Sequence, residues 1–164
     1  MILDKHDRQY LNRVSLKNPW HFLALGFGTG LLPKAPGTYG SLAALPICMI
    51  LVYLPWYVTM AVILVTFFVG WYASNVTEKA MGMHDNSAIV VDEFVGMFIS
   101  VLFYPSVYYY TILAFILFRF FDVLKPFPIS YADKKVSGGL GVMLDDVLAG
   151  IAALATAHAI FYFI

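Results

Sequence analysis

Long uncharged runs alternate with short charged ones along this chain. Asn18-Pro19-Trp20 reads as a helix start, with proline tolerated in the first turn, but the apolar piece Trp20 to Phe27 is too short to span a bilayer and is expected to lie in the interface or re-enter. Residues 28–41 follow, with four glycines and two prolines in fourteen positions, a composition that predicts irregular structure. From Ala35 to Thr77 there is no charge, a run of 43 residues that accommodates two spans of about 20. Leu54-Pro55-Trp56 breaks it, so helices are predicted over 40–54 and 57–76, followed by a polar connection over 77–87 that carries Glu78, Lys79, His84 and Asp85. The next uncharged run, Phe94 to Phe118, is 25 residues long with Pro105 near its middle. One long span would put Asp92 and Arg119 on opposite membrane faces. A hairpin turning at Tyr104-Pro105-Ser106 would put them on the same face, with helices over 88–104 and 107–124. A polar connection over 125–140 closes with Gly138-Gly139, and Val147 to Ile164 is the last span.

Charge decides between the two topologies. In the hairpin arrangement all ten Lys and Arg, and all ten Asp and Glu, fall on one face. The positive-inside rule favours that arrangement and makes the charged face cytoplasmic. Tyr53, Trp56 and Tyr57, then Tyr104 and Tyr108 to Tyr110, then Tyr162 would form an aromatic belt on the other side. The expectation is an all-α, polytopic membrane protein of about five membrane helices, N-terminus in and C-terminus out. It would be a single membrane-embedded domain over 1–164, with 1–17 as a polar cytosolic lead-in that lacks the apolar core of a signal peptide. Composition agrees. The chain is 61% hydrophobic and 12% charged, about half the charge of a soluble domain. Its formal net charge is zero, which gives no case for nucleic acid, and a lone Cys48 excludes an internal disulfide or cysteine-metal site. No internal repeat or low-complexity tract is evident.

Under the hairpin topology four elements meet at the cytoplasmic edge: the glycine loop ending in Thr38 and Ser41, the pair Asp92-Glu93, the segment Arg119 to Pro126, and Asp145-Asp146. Carboxylates held at a membrane's edge are costly, hence functional candidates. Arg119, Asp122 and Lys125 are spaced i, i+3, i+6 and share a helix face, and Pro126 is expected to end that helix. Five carboxylates cannot sit close together unneutralised; Arg119 and Lys125 offset part of the charge and a divalent cation would offset the rest. Hard oxygen ligands suit Mg²⁺, which leaves room for water and phosphate. The candidate metal ligands are Asp92, Glu93, Asp122, Asp145 and Asp146. With a helix beginning near Ser41, Thr38 or Ser41 is expected to cap it, and the helix start would receive a phosphate. Lys34, Thr38, Ser41, Arg119 and Lys125 are the candidate substrate contacts. Set against these, Glu78 and Lys79 read as snorkelling or paired charges, His158 as a core or interface histidine, and Cys48 as core. A structural salt-bridge network is the bland reading of the carboxylates, and a tight packing turn that of the glycine loop.

Taken together, these stretches resemble the phosphatidylglycerophosphatase A family, bacterial lipid phosphatases. The resemblance rests on Gly28-Thr29-Gly30, Pro33, Pro36-Gly37-Thr38 and Gly40-Ser41-Leu42; on His84-Asp85, Ile89-Val90, Asp92-Glu93 and Gly96-Met97; on Phe118-Arg119, Phe121-Asp122, Lys125-Pro126 and Pro128-Ile129; and on Gly138-Gly139, Gly141, Met143, Asp145-Asp146 and Ala149-Gly150. Phe98 and Phe127 stand where many relatives are expected to have tryptophan, and both keep an aromatic ring. The resemblance implies a Mg²⁺-dependent phosphomonoesterase of the bacterial inner membrane that takes phosphatidylglycerophosphate to phosphatidylglycerol and inorganic phosphate, with Asp92, Glu93 and Asp122 as catalytic residues. Metal-activated water and a carboxylate nucleophile, Asp92, both remain open as the attacking group. The chain lacks the Asp-x-Asp before a strand of haloacid-dehalogenase phosphatases. No arginine follows Cys48 closely, as a cysteine phosphatase requires, and the histidine phosphatase motifs are missing. Two other classes are weighed. A phosphotransferase of lipid head groups would show Asp-Gly followed by Ala-Arg, which is missing. A carboxylate-site ion transporter would hold its charges near the midplane.

Overall fold

The computed structural model describes residues 9–83, 86–103, 109–136 and 138–163. The described chain is all-helical. Helix α1, Pro19–Ala24, starts as its sequence predicts: Asn18 Oδ1 accepts from the Trp20 N–H at 3.0 Å, with proline at the first helical position. It is six residues long and packs on the later helix over Trp56–Met81 through an edge-on contact of Trp20 with Tyr72, ring centroids 4.7 Å apart. A 3₁₀ stretch, Gly26–Leu31, follows with Phe27 and Gly28 at positive φ.

Helix α2, Pro36–Leu51, begins four residues earlier than predicted. The proline and two glycines of 36–41 therefore do not forbid helix. Pro36 occupies the first turn, where its missing N–H costs nothing. Gly37 and Gly40 are there for close approach rather than for turning: a Cβ on Gly40 would press on Val90. Helix α3, Trp56–Met81, runs five residues past its predicted end and stops at Gly82, whose N–H reaches Glu78 O at 2.8 Å from a left-handed conformation. Glu78 is consequently a buried helical residue, 3% exposed, rather than part of a connection.

Helix α4, Val91–Ser100, is the centre of the structure. Nearly every side chain on it is buried, and it packs against α2, α3 and the later helices over Tyr109–Leu124 and Gly139–Phe163. At about 1.5 Å per residue it is about 15 Å long, half a bilayer core. The span predicted over 88–104 is therefore much shorter as helix. Its end is marked by Ser100 Oγ donating to Met97 O at 2.7 Å and by Phe103 at positive φ. Helix α5, Tyr109–Leu124, returns antiparallel to α4. The predicted turn at Tyr104-Pro105-Ser106 lies outside the described residues, but its consequence does not: Arg119 Nη1 lies 2.6 Å from Glu93 Oε2, which one continuous span over 94–118 cannot allow. Helix α6, Ile129–Lys135, was not foreseen in the connection, and buried Ile129 anchors it. Helix α7, Gly139–Phe163, starts eight residues before the predicted span, so Asp145 and Asp146 lie inside a helix rather than at its entrance.

Among the described residues two helices, Trp56–Met81 and Gly139–Tyr162, are long and apolar enough to cross a membrane, and α2 is a shorter apolar helix. The burial pattern suits an apolar surrounding. Val65, Phe68 and Ile116 are more than half exposed on the outer faces of α3 and α5, while Ser41, Ser74, Thr77, Ser100 and Thr111 are buried. Exposed apolar surface on this scale marks membrane or protein contact. Aromatic rings collect at the end opposite the carboxylates: Trp56 meets Phe103, and Tyr110 stacks edge-on with Phe161. Small residues let the central helices touch. A Cβ on Gly96 would strike the Phe118 ring and Asp146 O, and one on Gly150 would strike Gly96 O. Cys48 is core, as expected, and His158 is exposed on α7 with Nδ1 at 2.9 Å from Leu154 O.

Candidate active site

Four helix ends enclose one cavity of about 380 Å³. The start of α2 supplies Ala35, Pro36 and Gly37; the start of α4 supplies Asp92 and Glu93; the end of α5 supplies Arg119, Asp122 and Lys125; and the second turn of α7 supplies Asp145 and Asp146. Each charge has a local reason for its place. Asp92 and Glu93 sit in the first turn of α4, where the helix dipole favours negative charge. Pro126 ends α5 at Leu124 and Lys125 leaves it at φ 42, one of two positive-φ residues on the wall, with Ala35. Backbone held in such regions clusters at functional sites.

Arg119 is the hub. Its Nη1 donates to Glu93 Oε1 at 2.7 Å and Oε2 at 2.6 Å, approaches Asp122 Oδ2 at 2.8 Å, and lies 3.3 Å from Ser41 Oγ. Ser41, fully buried, donates to Glu93 Oε2 at 2.5 Å and also lies 2.9 Å from Gly37 O. No side chain fits at Gly37, because its Cβ would collide with Glu93 Oε1 and press on Arg119 Nη1. Lys125 Nζ pairs with Asp145 Oδ2 at 2.6 Å.

The remaining acids form the second half of the site. Ligand oxygens of Asp122, Asp145 and Asp146 all lie within 4.8 Å of one another. Asp146 Oδ2 and Asp92 Oδ1 are buried and have no hydrogen-bond partner among the described residues. Buried carboxylate oxygens are normally satisfied, and an orphan asks for an ion or water. Two oxygens on one Mg²⁺ are at most about 4.2 Å apart, so the trio needs only small side-chain adjustment to share an ion. Five carboxylates against two cations also leave a charge deficit that a divalent ion would reduce. The donor set therefore fits a hard cation.

Of the residues singled out by sequence, Asp92, Glu93, Arg119, Asp122, Lys125, Asp145 and Asp146 line this cavity. Glu93 is not one of the three clustered acids, since both its oxygens face Arg119 and one also takes Ser41. Neither Thr38 nor Ser41 caps α2, which starts at Pro36 after a left-handed Ala35 with no side-chain cap. Thr38 is half-buried and Lys34 exposed, and both lie off the cavity wall. His84 and Asp85 lie outside the described residues. The sequence reading missed Asn86 and Ser87, which also line the cavity; nothing in their local pattern marks them. It also missed why Gly37 must be glycine, which only the neighbouring helix explains.

The comparisons with known proteins bear on this site. The phosphatidylglycerophosphatase A family profile matches residues 22–161. The chain is 43% identical over 151 residues to Escherichia coli (strain K12) phosphatidylglycerophosphatase A, covering 92% of this chain and 88% of that one. It is 48% identical over 157 residues to the Haemophilus influenzae protein of the same name, covering 93% and 94%. A Bacteroides thetaiotaomicron protein, provisionally named a phosphatidylinositol-3-phosphatase, is 42% identical over 137 residues, covering 79% and 85%. No solved structure gives a significant match. With a match of this extent reaching every wall of the cavity, the chain belongs to the phosphatidylglycerophosphatase A family of phosphatases.

Proposed function

We propose that this chain hydrolyses phosphatidylglycerophosphate to phosphatidylglycerol and inorganic phosphate, in a Mg²⁺-dependent reaction at the cytoplasmic face of the bacterial inner membrane. The observation that carries the reading is the cavity itself: clustered acids with orphan buried oxygens stand beside Arg119 and Lys125, at one end of a bundle whose outside is apolar. A lipid phosphomonoester needs both halves, an apolar surround for its tails and a charged pocket for its terminal phosphate. Asp122, Asp145 and Asp146 would hold the ion. Bound there, Mg²⁺ would neutralise phosphate charge and acidify a water. Arg119 and Lys125 would meet the phosphate oxygens, and the first amides of α2, which have no intrahelical acceptor, would add partial positive charge at the same wall. Asp92 Oδ1 would take the proton of the attacking water. Its lack of a hydrogen-bond partner equally favours a second reading, in which Asp92 attacks phosphorus itself.

Substrate choice is tested by phosphate release from the purified protein in detergent with Mg²⁺. Phosphatidylglycerophosphate should be turned over at least tenfold faster than phosphatidylinositol 3-phosphate or phosphatidic acid. A preference for the inositol lipid would move the substrate assignment to the chemistry named for the Bacteroides relative.

For topology, we propose that α2, α3, α5 and α7 cross the membrane around α4, a short helix shielded from lipid by its neighbours, with both termini of the hairpin pair α4–α5 at the charged, cytoplasmic end. Protein-buried helix ends at membrane depth are tolerated where lipid does not reach them. Reporter tags inserted at Pro105 and appended at Ile164 should both read as periplasmic. A cytoplasmic signal at Pro105 would contradict the arrangement.

A further inference from the structure

Every hydrogen bond and ion pair that Arg119 makes among the described residues runs through a single nitrogen, Nη1. A guanidinium carries five N–H donors in a rigid planar fork. With Nη1 held on one side, the Nε–Nη2 edge keeps three donors. That edge has the spacing of two phosphate oxygens. Arg119 is half-buried on the cavity wall, so an oxyanion entering the cavity reaches it.

The anchor is built with care. Glu93 is 6% exposed and Ser41 fully buried. Ser41 holds one Glu93 oxygen, Glu93 holds Arg119 with both, and the space a side chain at Gly37 would need is already taken by that pair. Neither Ser41 nor Glu93 belongs to the clustered acids that would hold an ion. We infer that Ser41 and Glu93 are positioning residues: they clamp Nη1 so that the Nε–Nη2 edge of Arg119 receives the substrate phosphate, and they touch neither metal nor lipid. The inference rests on the functional reading above and deepens it, because it distinguishes an ion half from an arginine half, the two meeting at Asp122, whose Oδ2 lies 2.8 Å from Arg119 Nη1.

The two halves are separable by experiment on the full-length protein in detergent. The first readout is Mn²⁺ affinity by electron paramagnetic resonance, which needs no turnover. Glu93→Gln should leave it within about threefold of wild type, whereas Asp146→Asn should weaken it tenfold or more. A tenfold loss in Glu93→Gln would make Glu93 a ligand and overturn the inference. The second readout is a double-mutant cycle on kcat/KM with Ser41→Ala and Arg119→Lys. Ser41→Ala alone should cost about 10- to 100-fold, as outer-shell groups typically do. In the Arg119→Lys background, where the fork is gone, it should cost less than threefold. Losses that multiply would show that Ser41 acts independently of Arg119, and the inference would fall. If the wild type releases no phosphate from any lipid, the functional reading fails separately, and the same cycle run on inorganic-phosphate affinity by calorimetry still decides the inference. Thermal melts of each variant separate misfolding from misalignment.

Discussion

Asp146→Asn should abolish most turnover while leaving the fold at least as stable as wild type in the presence of chelator. Asp146 is 2% exposed, clusters with Asp122 and Asp145, and has a buried oxygen without a hydrogen-bond partner among the described residues. An ionised carboxylate in that condition is expensive. Replacing it by an amide of the same shape removes a charge that Asp92, Glu93, Asp122 and Asp145 all oppose. The protein should therefore melt no lower than wild type without metal. With Mg²⁺ the order should reverse: ligand that binds only the native state raises the melting temperature of wild type, and the variant should gain little. Activity should fall by about 10²–10⁴-fold, the loss of several kcal/mol of transition-state stabilisation at about 1.4 kcal/mol per decade. Melting curves and phosphate release, each with and without Mg²⁺, check both halves. A variant that lost stability in chelator, or kept wild-type turnover, would remove Asp146 from the proposed ion site.

The second large effect is expected at Gly96, a packing position that carries no reacting group. Gly96→Val would drive its side chain into the Phe118 ring and the Asp146 carbonyl, where α4, α5 and α7 meet. Overpacking a closed core typically costs about 1–3 kcal/mol, and here the obstacle includes backbone, which relaxes poorly. The wedge also pushes against the turn of α7 that presents Asp145 and Asp146. Yield of folded protein and melting temperature should both drop, and activity should drop further than either. Gly96→Ala should show a milder form of the same defect. Lys79→Ala, an exposed residue off the cavity wall, is the control and should be close to silent in all three.

Much of the site was legible because charges are so scarce in this chain. The one-sided charge pattern required a reversal between Phe94 and Phe118, and the Glu93–Arg119 contact supplies it. The i, i+3, i+6 spacing put Arg119, Asp122 and Lys125 on one face, and all three line the cavity. Pro126 ended its helix as its chemistry requires. What escaped the sequence was set by neighbours. Helix α7 runs through Asp145 and Asp146, and Asp145 is neutralised there by Lys125, twenty residues away, a partner the local pattern cannot reveal. The two glycines and one proline of 36–41 read as a loop, whereas tertiary packing recruits them as the thin wall of a helix that must approach Glu93 and Val90. Asp92 and Glu93 shared the expected metal-ligand and catalytic roles, with only Asp92 offered as a nucleophile. Only the folded structure separates them, turning one toward Arg119 and leaving the other with an orphan oxygen. Helix α4 looked long enough to span because apolar content continues past Ser100, but helical geometry does not.

The most direct test of the account is the metal dependence of phosphate release. Purified protein, stripped with chelator and offered phosphatidylglycerophosphate in detergent, should release no phosphate, and Mg²⁺ added back in excess of chelator should restore the full rate. Full activity in excess chelator would contradict the account, because the acids of Asp122, Asp145 and Asp146 would then have no ion to hold.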